Sequence, residues 1–162
     1  MDRRAKVRVA TTWGVRPAMR GREDVGMERP AMRVSGPTFD AANPIALAEF
    51  YERLLGWRIV RREGPRPGKP STDGWAMLAS PAGDMKLEVQ WEPCYRPPVW
   101  PGTDGEQLMM MHLDVGVADL DAGVTWALAQ GARLAEKQPQ RDVRVMLDPE
   151  GHPFCLFTDN TV

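Results

Sequence analysis

Cysteine is scarce in this chain. Cys94 and Cys155 are the only two in 162 residues, too few for the disulfide framework of a small secreted domain. No stretch approaches the roughly 20 consecutive apolar residues of a membrane-spanning helix. The N-terminus lacks the apolar h-region of a secretory signal. Reduced thiols in a soluble, cytoplasmic protein are therefore expected. Net charge is almost missing too: at −1 overall the chain has no general attraction for nucleic acid or an anionic membrane. Nothing resembles a P-loop, a dinucleotide fingerprint or a nucleophile triad. Cys94 sits in a proline-rich stretch without an obvious base partner.

What the chain has in plenty is Met and Trp, ten and six of them. They suit an apolar, adaptable cavity or interface as well as ordinary core filling. It also says roughly the same thing twice. Gly36–Pro44 and His112–Leu120 are each a short extended stretch running into a helix-capping residue, Asn43 and Asp119. An apolar helical pattern follows each, with an aromatic at the same offset, Phe50 and Trp126, and a terminating glycine, Gly56 and Gly131. A strand–helix–strand unit used twice predicts a pseudo-symmetric fold whose site lies where the copies face each other.

Residues 1–33 stand apart, with nine basic residues against four acidic and no sustained period. This reads as a mobile basic tail. Translation starting at Met27 or Met32 is the alternative, and a grip on an anionic partner is another. Arg3-Arg4 hints at a twin-arginine signal, but the apolar segment it requires is missing. The patterned domain runs over 34–159.

In its first module, 34–91, Asn43-Pro44 is an N-cap with proline at the first helical position. Leu47, Phe50, Tyr51, Leu54 and Leu55 then form one helix face. Strands are predicted at Trp57–Arg61, Trp75–Leu78 and Met85–Trp91, with a Gly/Pro-rich loop over Gly64–Gly74. Four prolines make 92–107 a stiff linker. In the second module, 108–159, Leu108–Val117 reads as a strand. Asp119 caps a helix whose buried stripe is Leu120, Val124, Ala127 and Leu128. Short strands are expected at Arg133–Ala135, Val143–Leu147 and Phe154–Thr158, with a tight turn at Asp148-Pro-Glu-Gly. The prediction is an α+β fold of two βαβββ modules, about eight strands and two helices.

Strand alternation sorts the side chains. Leu113, Val115 and Val117 share a helix-facing side, opposite His112 and Asp114. Leu87, Val89 and Trp91 face one way, and Lys86, Glu88 and Gln90 the other. Phe39 and Ala41 lie opposite Gly36, Thr38 and Asp40. Both modules thus put polar groups on the face away from the helices, either as a wetted surface or inside a cleft.

Three segments carry a family resemblance: Asn43–Trp57 with its Phe50-Tyr51 and Leu55-Gly56-Trp57 pieces, Met111–Ala122, and Asp148–Phe157. Together they resemble the vicinal oxygen chelate superfamily, which includes glyoxalase I, extradiol dioxygenases, fosfomycin-resistance enzymes and bleomycin-binding proteins. The resemblance spans about Val34 to Asp159 and is nearest the glyoxalase-like branch. It implies a curved mixed sheet with helices on the convex side and a metal or ligand site in the concavity. It fixes no reaction, because one fold hosts many chemistries.

Metal-dependent relatives draw ligands from the first, fourth, fifth and eighth strands. His112 matches on the fifth and Glu88 on the fourth, with Gln90 two residues on. Gly36 offers no side chain on the first, and Cys155 replaces the carboxylate on the eighth. His112, Glu88 and Cys155 are a possible set for Zn²⁺ or another borderline divalent ion. With two of four positions lost, a metal-free cavity is favoured, in which His112 is hydrogen-bonded and Cys155 is a small buried hydrophobe.

Two readings of function follow. In the first, Thr38, Asp40, Gln90, Asp114 and Cys155 bind a small oxygenated substrate, with Trp91, Trp100 or Tyr95 at the rim. Glu88 is then the general base and His112 a ligand or proton carrier, in lyase, isomerase or dioxygenase-type chemistry. In the second, the chain is a non-catalytic binder that sequesters an aromatic or cationic compound. A structural or regulatory interaction domain is a third option. Asp148 is read as a turn former and His152 as a turn-exit residue at the cleft mouth. Exposed sheet edges and the aromatic linker predict a homodimer, as the resemblance also implies.

Overall fold

The computed structural model describes residues 30–162, among which Val34–Val162 form one compact unit. All but the last four residues of the expected basic tail lie outside the described residues. The elements run β1 (Thr38–Ala41), α1 (Pro44–Leu55), β2 (Arg58–Glu63), β3 (Trp75–Ala79), β4 (Lys86–Trp91), β5 (Asp114–Val117), α2 (Leu120–Gln130), β6 (Arg133–Leu134), β7 (Val143–Leu147) and β8 (Pro153–Thr158). They make two βαβββ modules, each with its own four-stranded mixed sheet. The strand orders, β1-β4-β3-β2 and β5-β8-β7-β6, are the same order used twice. In each, the opening strand pairs in parallel with the closing one and the remaining pairs are antiparallel.

Both helices start and stop where their capping chemistry dictates. Asn43 Oδ1 accepts from the Ala46 N–H at 3.2 Å, and Asp119 Oδ1 from the Ala122 N–H at 2.9 Å. Each satisfies one backbone donor that the first turn leaves without a partner. Gly56 and Gly131 end the helices with φ of 66° and 107°, a left-handed conformation that glycine adopts without a Cβ clash.

A single core serves both modules. Leu47, Phe50 and Tyr51 of α1 pack with Leu78, Leu87 and Val89 of the first sheet, and with Met146, Phe154 and Leu156 of the second. Phe50 meets Phe154 edge-on, their ring centroids 6.4 Å apart. Each such fully buried side chain contributes about 1.5–3 kcal/mol, so residues of both modules stabilise the common cluster.

Two expectations are corrected. The strand expected over Leu108–Val117 pairs only from Asp114 onward; before it, Leu108 makes an isolated bridge to Val99. The cause is Pro153. In the parallel ladder the Cys155 N–H donates to the Leu113 carbonyl at 2.8 Å. The next rung toward the N-terminus would need an N–H at residue 153, which proline lacks. Met110 and Met111 are left 85% and 75% exposed.

The second correction concerns α2. Of its expected stripe only Ala127 is fully buried, Leu120 and Val124 are half-buried, and Leu128 is exposed. Trp126, the counterpart of Phe50, lies outside the core and donates its indole N–H to the Leu54 carbonyl at 3.0 Å. It satisfies a carbonyl that the end of α1 leaves open.

Candidate functional site

On the second module's sheet, the β5–β8–β7 register sets Asp114, Cys155 and Val145 side by side. His112 lies two residues before Asp114 on the same side of the extended chain, and its Nε2 is 3.2 Å from Asp114 Oδ1. Burial, the neighbouring Asp114 charge and a hydrogen bond from the thiol to that carboxylate push the Cys155 thiol up from its ordinary pKa. One donor atom each from His112, Asp114 and Cys155 falls within 4.8 Å of the others. The trio floors a cavity of about 380 Å³ whose walls include Trp100, Val145 and Phe157. A polar base under apolar walls holds a small molecule by one polar end and shields its body from water.

The first module's polar face is a different surface. Thr38 pairs with Glu88 and Asp40 with Gln90. Three of these four side chains are already engaged: Gln90 Nε2 donates to Asp40 Oδ1 at 2.8 Å, and Trp75 Nε1 to Glu88 Oε2 at 3.2 Å. Among the described residues, the cluster that gathers His112 and Cys155 takes Asp114 as its third member, and Glu88 stands outside it on the other sheet. Asp114 was expected only among the ligand-binding residues. Its place in the cluster follows from its parallel pairing with Cys155, which requires the register of two strands and not one strand alone. Trp91, expected at the cavity rim, lies beneath Arg66 and Lys69, 5.8 and 5.7 Å from its ring centre. Trp100 does line the His112 cavity.

Gly36, at the position of the family's first-strand ligand, is more than an empty place. A Cβ there would sit 1.8 Å from the Lys86 carbonyl oxygen, so no side chain fits without moving backbone. The four-strand ligand set of metal-dependent relatives is therefore not assembled from these residues.

A second cavity, about 360 Å³, lies between the modules and is lined by Thr38, Asp40, Tyr95, Met109, Met111 and His152. Behind it is a network the sequence reading did not anticipate. Asp148, wholly buried, accepts four hydrogen bonds. The N–H groups of Glu150 and His152 reach Oδ1, both at 2.9 Å. The Tyr51 hydroxyl reaches Oδ2 at 2.9 Å and His152 Nδ1 reaches it at 2.8 Å. The first pair is the turn-forming role expected of Asp148. Burial, then the Asp148 charge, raise the Tyr51 pKa well above the ordinary tyrosine value, so its hydroxyl stays a donor. Tyr95, also pushed up, mainly by burial, donates to the Glu150 carbonyl at 2.8 Å. His152 Nε2 faces the Tyr95 oxygen at 3.1 Å and the Asp40 carbonyl at 3.0 Å. The only sequence signal for this network was the Asp-Pro-Glu-Gly-His run itself.

Among the described residues no helix is long and apolar enough to cross a membrane. No curated protein matches the chain. Solved structures do match in fold. A glyoxalase family protein from Enterococcus faecalis is 23% identical with a TM-score of 0.56, over 77% of this chain and 96% of its own. The fosfomycin resistance protein FosX from Listeria monocytogenes, in a mutant form complexed with Mn(II) and a dihydroxypropylphosphonic acid, is 10% identical with a TM-score of 0.59, over 81% and 95%. A glyoxalase/bleomycin resistance protein/dioxygenase family enzyme from Burkholderia phytofirmans is 19% identical with a TM-score of 0.52, over 76% and 96%. The model of the glyoxalase-like domain matches residues 37–157. With the duplicated βαβββ architecture, that match makes this chain a member of the glyoxalase-like domain family.

Proposed function

We propose that this protein binds a small oxygenated molecule in the His112 cavity and acts on it by proton transfer. The observation that carries the reading is the convergence of His112, Asp114 and Cys155 within 4.8 Å at the base of a cavity walled by apolar side chains. His112 takes or returns a proton at Nε2, and Asp114, 3.2 Å away, orients the ring and balances the imidazolium that forms. That pairing suits isomerase or lyase chemistry, in which a proton leaves one position of the substrate and is delivered to another. Cys155 is held as a neutral thiol by its surroundings and serves as a contact. Both cysteines are free, which fits a reducing cytoplasm.

Glu88 enters as general base only in a homodimer that sets the first module of one copy against the second module of its partner. The open β1 and β5 edges and the exposed Met110 and Met111 favour such pairing. Light scattering at micromolar concentration is expected to give twice the 18.1 kDa chain mass, and a monomer mass would remove Glu88 from the site.

The competing reading is a sequestering protein for an aromatic or cationic compound. The aromatic walls Trp100 and Phe157 beside the exposed Asp114 carboxylate favour it. A thermal-shift screen of small oxygenated and cationic aromatic compounds, followed by NMR of the recovered ligand, separates the two. Conversion of the ligand supports the enzyme, and unchanged ligand the binder. His112→Ala should abolish the thermal shift while costing under about 1–2 kcal/mol of stability, because its side chain is 37% exposed. Full binding by His112→Ala would move the site elsewhere.

A further inference from the structure

We infer that the hydrogen on His152 Nε2 works a latch between the two modules, closed while the ring carries a hydrogen on each nitrogen and released when Nε2 gives its own up. The latch belongs to the cavity between the modules, and it holds whatever the His112 cavity binds.

Hydrogen-bond direction carries the argument. Asp148 accepts from the N–H groups of Glu150 and His152 at Oδ1 and from the Tyr51 hydroxyl at Oδ2. Toward the ring it is again an acceptor, so the hydrogen in the 2.8 Å contact belongs to His152 Nδ1. At the other nitrogen the Asp40 carbonyl, 3.0 Å from Nε2, can only accept. The Tyr95 hydroxyl, 3.1 Å from Nε2, gives its hydrogen to the Glu150 carbonyl at 2.8 Å and turns a lone pair to the ring. Both nitrogens therefore face acceptors. Only the doubly protonated ring satisfies them all.

The carbonyl held in this way belongs to an edge strand. In the parallel ladder of β1 with β4, the Pro37 and Ala41 carbonyls accept from the Glu88 and Glu92 N–H groups, both at 3.0 Å. Alternation turns the Asp40 carbonyl away from the sheet, where His152 of the second module meets it. Phe39 stacks on the same ring, with centroids 5.2 Å apart and planes 20° from parallel, an arrangement that suits a cationic imidazole. The charged and titratable groups facing the ring are Asp148 and Glu150 from the turn, Tyr51 from α1, Asp40 from β1 and Tyr95 from the linker. The Asp40 carboxylate is engaged by Gln90, and that of Glu150 by the Ala42 and Asn43 N–H groups. Among the described residues no lysine or arginine bonds to the ring, and Arg96 lines the same cavity.

Loss of the Nε2 hydrogen sets a lone pair against the Asp40 oxygen. Tyr95 relieves the clash by swinging its O–H from the Glu150 carbonyl to Nε2, and both carbonyls are then left to water. The closed latch needs the proton, so its contribution to stability is present at low pH and lost as pH rises. Histidine is the side chain suited to such a change near neutrality.

The test is nitrogen-15 NMR of the two histidine rings in the full-length protein from about pH 5 to about pH 9, with His152→Gln assigning the signals. Nδ1 and Nε2 of His152 should both carry hydrogen at the acid end. With rising pH, Nε2 should lose its hydrogen while Nδ1 keeps its own, and the Asp40 carbonyl carbon should shift in step with Nε2. Tyr95→Phe should leave both hydrogens in place at the acid end, because the Asp40 carbonyl still accepts. The gap in melting temperature between wild type and His152→Gln should narrow as pH rises. An Nε2 without hydrogen at the acid end, or an Asp40 carbonyl signal indifferent to the ring, would overturn the inference. Both readouts come from the wild-type protein, so they decide the matter even where His152→Gln fails to fold.

Discussion

Tyr51, in the helix of the first module, donates its hydroxyl to Oδ2 of Asp148, in the closing turn of the second, at 2.9 Å, with both side chains fully buried. The bond spans 97 residues of sequence and ties the two modules at the centre of their common core. Asp148 in turn orders the turn that carries His152 to the cavity between the modules.

Removing this bond should be costly, and unequally so. Tyr51→Phe leaves Asp148 three of its four donors and is expected to lower stability by about 1–3 kcal/mol. Asp148→Ala strands the Tyr51 hydroxyl, the His152 ring and two backbone N–H groups, and should cost more. Urea unfolding measured on the two variants side by side gives the comparison; equal losses, or none for Tyr51→Phe, would deny the bond its role.

The shared core also predicts that the modules do not survive separation. Expressed alone, 34–94 loses Phe154, Met146 and Leu156 from above α1, and it should show no cooperative thermal transition. A sharp calorimetric peak from this fragment would mean that each half holds an independent interior.

Acid should loosen one loop before the rest of the molecule. The Arg66 guanidinium holds the buried Asp73 carboxylate down to about 2, with bonds of 2.7–3.2 Å, and the Arg66 N–H donates to the same group at 2.7 Å. A carboxylate pKa depressed on folding contributes stability that is full above its unfolded value near 4. That contribution is lost as pH falls through about 4 to about 2. Amide exchange at Arg66, corrected for the intrinsic pH dependence, should lose protection across this window. In Asp73→Asn the protection should be low at neutral pH and flat with acid.

Gly36 is predicted to tolerate nothing larger. Its would-be Cβ lies 1.8 Å from the Lys86 carbonyl, so Gly36→Ala must push β1 from β4 and should destabilise by more than about 3 kcal/mol. Gly36→His should likewise fail to restore a first-strand metal ligand. A chemical denaturation midpoint unchanged in Gly36→Ala would contradict the packing.

How much of this was legible beforehand differs by element. The two helices were, because Asn43-Pro44, Asp119, Gly56 and Gly131 are local signals whose physics acts within a few residues. So was the polar face of each sheet, since alternation follows from one strand's own sequence. The length of β5 was not, because Leu108–Leu113 has strand composition and is stopped by a proline on the neighbouring strand, some 40 residues later. Nor was the difference between Phe50 and Trp126. Matching offsets in two repeats say nothing of which helix the core covers, and α2 turns its tryptophan toward α1 instead. The His112–Asp114–Cys155 grouping lay between these cases: each residue stood out, but their meeting depends on the pairing of β5 with β8.

The Glu150 side chain has a consequence for synthesis. Its carboxylate accepts from the Asn43 N–H at 3.0 Å and the Ala42 N–H at 3.3 Å, a negative group at the start of α1 where the helix dipole favours one. Asn43 and Glu150 are 107 residues apart. A ribosome adding about 5–20 residues per second needs on the order of 5–20 s to cover that distance. For that interval the emerging first half carries an unfinished helix start and an uncovered apolar face. The nascent chain is therefore most exposed to chaperones and to aggregation until Glu150 is made, and a chain truncated before Glu150 would keep that exposure permanently.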